Sequence, residues 1–219
     1  MTVLAPLHFA DAREAAALAA FLTRLVHYDR AAAVRLQAGG GALAVFGRPP
    51  SFEVLAIRTA RLVDAVDLDV TVSAGELLDG IEESAGKAVV PDSVTGPPWT
   101  GVLPPRGGWE PVPGLPGVTE MRGAVAAAVA EFRARDEELP EERRTRAERD
   151  AIGREIWSRT LGTTGLSLRA VHAAQSLGFL PPGEAPTALF ASGPWLRLRT
   201  PYGSIALRTV PIAMGLTPR

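Results

Sequence analysis

The 219-residue chain has no cysteine, a single lysine and few aromatic residues. Lack of cysteine excludes disulfides, thiolate metal sites and a cysteine nucleophile, and it suits a reducing compartment. The three histidines, His8, His27 and His172, include no pair spaced three or four apart, so no single helix presents a His-based metal site. Neither a metal nor a cofactor is expected. Long apolar runs are missing as well. The longest, residues 15–22, falls far short of the about 20 residues needed to cross a bilayer. The first ten residues lack the basic start and apolar core of a leader. The expectation is a cytoplasmic protein without a membrane partner.

Nucleotide and acyl-transfer signatures are absent too. There is no G-x-S-x-G elbow, no Walker A and no G-x-G-x-x-G where a strand enters a helix. The triplet Gly39, Gly40 and Gly41 lies between two predicted strands, so no helix N-terminus is there to hold a phosphate. Ser84 and Lys87 have S-x-x-K spacing, but the partner motifs of serine acyl-enzymes are missing. No catalytic residue is assigned, and the reading leans away from an enzyme. His27, Tyr28, Asp29 and Arg30 form the densest titratable cluster, at the exposed end of a predicted helix where His27 can offset the dipole.

Net charge is −1, so bulk charge selects neither nucleic acid nor a membrane surface. The distribution is uneven, because residues 151–219 carry 7 basic and 2 acidic side chains. The heavy use of Ala, Gly, Pro and Arg over Lys reflects codon composition rather than chemistry.

What is present suffices for a sizeable core, at 47% hydrophobic residues. The stretch LAVFGRPPSFEVLAIRT (residues 43–59) reads as two antiparallel strands around a Gly-Arg-Pro-Pro turn. A looser version, ALFASGPWLRLRT, returns at 188–200. Asp11 and Glu14 have the form of a capping box opening a helix over 12–28, with Leu18, Phe21, Leu22 and Leu25 at helical spacing. Strands follow over 32–37, 43–46, 52–62 and 68–72. The third is apolar on both faces, as in a central strand covered on both sides. Ser73 and Glu76 open a short helix. Further helices are predicted over 120–138, 145–160 and 167–177, and strands over 187–191, 195–200 and 204–209. In the second of these, Leu196 and Leu198 face one way and Arg197 and Arg199 the other.

Residues 91–117 break the order, with 8 prolines and 6 glycines among 27 residues. Regular structure is not expected there. Because the segment carries Trp99 and Trp109, it is read as a strap anchored by tryptophans rather than a free linker. Pro113 and Pro116 also give a P-x-x-P match to polyproline II ligands.

These features predict an α+β protein. Two β-meanders supply antiparallel sheet, merged or separate, packed against about five helices. Helix-then-meander order in both halves is compatible with a pseudo-two-fold duplication. Three blocks result: 1–90, a helix plus meander; 91–117, the strap; 118–219, helices plus the second meander, able to join 1–90 in one domain.

Two binding surfaces follow. Trp99 and Trp109 are candidate contacts for a protein partner. Alternatively, GLSLRAVHAAQSLGFL (residues 165–180) followed by a hairpin resembles a winged helix-turn-helix. Arg169, His172, Gln175 and Ser176 would then face a DNA groove, and Arg197 and Arg199 would contact phosphates. The chain also resembles uncharacterised actinobacterial families without known activity. In layout, through the meander after helix 1 and Thr200-Pro-Tyr-Gly203, it resembles EspG-type secretion chaperones, which implies helices flanking an antiparallel sheet with quasi-two-fold symmetry. The functional expectation is a non-enzymatic protein that binds another macromolecule, foremost a protein. Nucleic-acid binding and an unrecognised enzyme or small-molecule binder are the alternatives.

Overall fold

The computed structural model describes residues 6–209. A two-residue strand, β1 (Leu7–His8), precedes helix α1 (Ala12–Tyr28). Asp11 caps α1, its Oδ1 accepting from the amides of Arg13 at 2.9 Å and Glu14 at 3.1 Å. Glu14 does not reach back as a capping box requires. Its carboxylate accepts instead from Arg61 Nε at 3.0 Å. The first meander comprises β2 (Ala33–Gly39), β3 (Ala42–Gly47) and β4 (Leu55–Arg61), and β5 (Leu68–Ser73) returns beside β2. Ser73 caps the short α2 (Ala74–Asp79), and β6 (Ile81–Glu82) with β7 (Lys87–Ala88) completes a small sheet against β1.

After a 3-10 turn at Pro98–Gly101 comes β8 (Glu110–Val112), so the Pro-rich segment does contain regular structure, contrary to expectation. Then follow α3 (Val118–Glu137), α4 (Arg146–Ser158) and α5 (Leu168–Ser176). Thr145 and Ser167 accept from the Glu148 and Ala170 amides as N-caps. The second meander is β9 (Ala188–Ser192), β10 (Trp195–Thr200) and β11 (Gly203–Arg208).

The two meanders are one sheet. Among the described residues eight antiparallel strands run in the order β5-β2-β3-β4-β11-β10-β9-β8. The seam pairs Ser204 with Ile57, Ile205 with Ala56 and Ala206 with Leu55. Each half contributes four strands, and in each the last strand of the meander lies at the seam. Helix α1 packs on β4 as α5 packs on β11. The order is therefore pseudo-two-fold about the seam. The symmetry fails at the edges, where β5 follows its meander and β8 precedes its own.

The helices cover one face of this sheet. Ala15, Leu18, Phe21, Leu22 and Leu25 of α1 meet Val34, Leu36, Val45 and Ala56 there, together with Leu198 and Ile205 from the second half. Fully burying such side chains contributes about 1.5–3 kcal/mol each. Two glycines allow close approach. A Cβ at Gly47 would lie 2.6 Å from Leu25 Cδ2, and one at Gly203 would lie 2.6 Å from the Phe179 ring. Phe21 stacks on Phe179 with centroids 5.7 Å apart, joining the halves above the seam. Arg58 of β4 also donates to the Tyr202 carbonyl at 2.7 Å.

A second, smaller apolar cluster occupies the opposite face: Phe46, Leu55, Ile57, Trp195 and Ala206, with Trp99, Leu103 and Trp109 laid on it from the strap. Strand β4 is thus covered on both sides, as its composition predicts. The strap leaves the β5 edge, where the Val94 amide donates to the Thr71 carbonyl at 2.8 Å, and arrives at the other edge as β8 on β9. Seven strand spacings amount to about 34 Å. The 16 steps from Val94 to Glu110 reach up to about 55 Å when extended. The strap is long enough to cross the whole sheet with slack for its turns.

Candidate functional site

The strap face holds the least ordinary electrostatics of the molecule. Strand alternation puts Arg35 and Gln37 of β2 on this face, because Val34 and Leu36 fill the helix side. Arg35 donates through Nε to Asp69 Oδ1 at 2.8 Å and through Nη1 to the Thr100 carbonyl at 3.0 Å. One guanidinium thereby clasps strap to sheet. The bond from Arg35, more than its charge, holds the Asp69 carboxyl below the usual range, with smaller contributions from Gln37 and Arg106.

On β10 the same alternation turns Trp195, Arg197 and Arg199 to the strap face, and Leu196 and Leu198 to the helix face. Arg197 lies with its Cζ 5.8 Å from the centre of the Trp109 ring. The Trp109 indole N–H donates to the Pro105 carbonyl at 3.0 Å, which fixes the ring in place. Arg197 Nη2 donates to Ser204 Oγ at 3.2 Å, whereas its buried Nε has no partner among the described residues. Burial, and secondarily the like charge of Arg199, pushes the Arg197 guanidinium below its ordinary pKa.

Two grooves open on either side of this residue. The larger, about 570 Å³, is lined by Thr59, Trp109, Phe190, Arg197, Arg199 and Ser204, among others. The smaller, about 370 Å³, is lined by Gln37, Phe46, Thr59, Pro105, Arg106 and Arg197. Arg197 and Thr59 belong to both. Among the described residues no Asp or Glu lines either groove. A third groove, about 430 Å³, lies at the other end of the strap beside Trp99, Val102, Leu55 and Trp195.

The residues proposed for DNA are not on one surface. Arg197 and Arg199 point away from α5, through the sheet. On α5 the polar side is itself covered. Arg169 pairs with Glu53, and His172 stacks on Trp157 at 4.6 Å and meets Phe52 edge-on at 5.2 Å. Burial holds the His172 imidazole below its ordinary pKa. Gln175 and Ser176 are half-buried, and Gln175 Oε1 is without a partner among the described residues. The hairpin after α5 is interior sheet rather than a wing. Amphipathicity here records a helix packed on a sheet and roofed by Phe52, far away in sequence, and by Trp157 of the preceding helix α4.

Other singled-out residues are dispersed. His27 is exposed and sits 5.8 Å from the Tyr28 ring. Ser84 lies in the turn joining β6 and β7, and Lys87 pairs with Glu82 at 3.1 Å. Among the described residues no group of three or more His, Asp or Glu is arranged to hold a metal ion. Sequence reasoning picked out Trp109, Arg197 and Arg199 but missed Arg35, Thr59, Arg106 and Ser204. Alternation on β2 marks Arg35; nothing local marks which strap residue would lie over it.

Residues 3–101 match the family model described as Domain of unknown function (DUF8010). Residues 104–211 match the one described as Domain of unknown function (DUF8185). Both matches are to families of unknown function, in keeping with the sequence resemblance. The first contributes β5-β2-β3-β4 and the second β11-β10-β9-β8, and the junction between them falls within the strap. No curated protein matches the chain. Among the described residues no helix is long and apolar enough to cross a membrane.

Proposed function

We propose that the protein is a non-enzymatic cytoplasmic binding protein whose partner is another protein, taken on the strap face of the sheet. The observation that carries this reading is the half-burial of Trp99 and Trp109. Each rests one side on the second apolar cluster and lends the other to an open groove. Held rings of this kind offer large contact area with little ordering left to lose on binding, and aromatic anchors dominate protein interfaces. The layout resemblance to EspG-type chaperones supports the same reading, as does a cysteine-free composition suited to a reducing compartment.

An affinity pull-down from native cytoplasm, with and without nuclease, tests it. The expected result is a protein captured equally in both arms and lost with Trp99→Ala or Trp109→Ala variants that retain the wild-type circular dichroism. Capture that disappears with nuclease, or that ignores both substitutions, would overturn it.

A further inference from the structure

We propose that Arg197 and Arg199 form a binding site for a small organic oxyanion, a carboxylate or a phosphate monoester carried on an aromatic or apolar body. It shares Trp109 and the larger groove with the protein-binding reading, but charge rather than apolar area carries it.

Most half-buried arginines among the described residues carry a counter-charge. Arg35, Arg58, Arg135 and Arg169 each have a carboxylate within ion-pair distance, and Arg122, which has none, donates to the Leu180 carbonyl at 2.8 Å. Arg197 is also half-buried, yet among the described residues it has only the Ser204 hydroxyl and the Trp109 ring. Removing a guanidinium from water without a counter-charge is costly. Arg199, two residues along the same face, adds repulsion. An arriving oxyanion would relieve both, and it would meet donors held in place before it binds.

The larger groove, at about 570 Å³, is within the size range of small-ligand sites. Its charged side chains among the described residues are Arg197 and Arg199, and Thr59 and Thr187 supply hydroxyls. The Trp109 and Phe190 rings form the apolar wall a ligand body would lie against. Guanidinium forks match carboxylate and phosphate oxygens in pairs, whereas a neutral ligand would leave the repulsion between the arginines in place.

The test uses phenyl phosphate, benzoate, inorganic phosphate and benzyl alcohol as probes at constant ionic strength, followed by tryptophan fluorescence and calorimetry on the full chain. Saturable one-to-one binding of phenyl phosphate or benzoate is expected, the pair distinguishing phosphate from carboxylate. Inorganic phosphate should bind more weakly and benzyl alcohol should not saturate. Arg197→Met should weaken the favoured probe at least about tenfold. Arg199→Gln, at an exposed position and so safe for folding, should weaken it several-fold. Absence of saturation by both aromatic anions, equal binding of benzyl alcohol, or unchanged affinity in Arg199→Gln would each overturn the site. Anion binding without capture of a protein partner would leave this site standing and the protein-binding reading refuted.

Discussion

Replacing Phe179 tests whether the two halves unfold as one body. Its ring is buried, stacks on Phe21 from the other half with centroids 5.7 Å apart, and closes over Gly203. Truncation to alanine removes the ring and leaves a cavity at the seam, a change that costs about 3–5 kcal/mol in comparable cores. That is a large share of the about 5–15 kcal/mol by which most domains are stable. A milder cycle, Phe21→Leu, Phe179→Leu and the double variant, isolates the ring–ring term, expected at about 0.5–1.5 kcal/mol beyond area burial. Urea denaturation supplies the assay. Far-UV circular dichroism reports both halves, and fluorescence reports Trp99, Trp109 and Trp195 on the strap face and Trp157 on α4. One coincident transition is expected for every variant, shifted to lower midpoint at unchanged slope. Two resolved transitions, or a coupling below the about 0.3 kcal/mol scatter of independent sites, would refute the claim that the seam unites the halves.

Three further predictions concern charge and pH. Arg35→Met should free the strap and raise its cleavage by a limiting protease, and the loss of hydrogen bonds to a charged group should cost about 1.5–3 kcal/mol. Asp69 has a lowered folded pKa, so its contribution is present above about pH 4 and lost as pH falls through the folded value; in Arg35→Met that acid dependence should flatten. Bonds from Arg135 and then Arg159 bring Glu155 down to about 2. The tie between α3 and α4 should therefore persist well below pH 4 at low salt, weaken in high salt, and shift upward in pH in Arg135→Gln, as read by amide exchange in α4. His172 is held neutral by burial, so the unfolded chain binds its proton more readily. Stability should be full above about pH 6.5 and decline as pH falls through the lower folded value, and His172→Phe should lessen that decline in thermal melts.

Local signals were readable where they were dense. Asp11 followed by a helical apolar stripe marks α1, and the two-sided apolar character of 52–62 marks β4 as central. The alternation in Trp-Leu-Arg-Leu-Arg-Thr places Leu198 inward and Arg197 outward. Strands β1, β6 and β7 have only two residues each, too few to show a period, and β8 contains Pro111, which argues against a strand. The seam itself has no local signature. Pairing Ile205 with Ala56 depends on non-local packing that a single sequence does not display. The site was half legible for the same reason. Arg197 and Trp109 each stand out, yet their stacking depends on the route of a Pro-rich strap across the sheet. The roof over α5 has no local signature, because Phe52 comes from the turn between β3 and β4 and Trp157 from α4.

The central claim is that the two domain families matched by this chain share a single continuous sheet. Cross-strand nuclear Overhauser contacts between β4 and β11 test it most directly. Backbone contacts linking Ile57 with Ser204, Ala56 with Ile205 and Leu55 with Ala206 are predicted, together with slow amide exchange along both strands. Absence of all three, with fast exchange at the edges of two separate sheets, would contradict it.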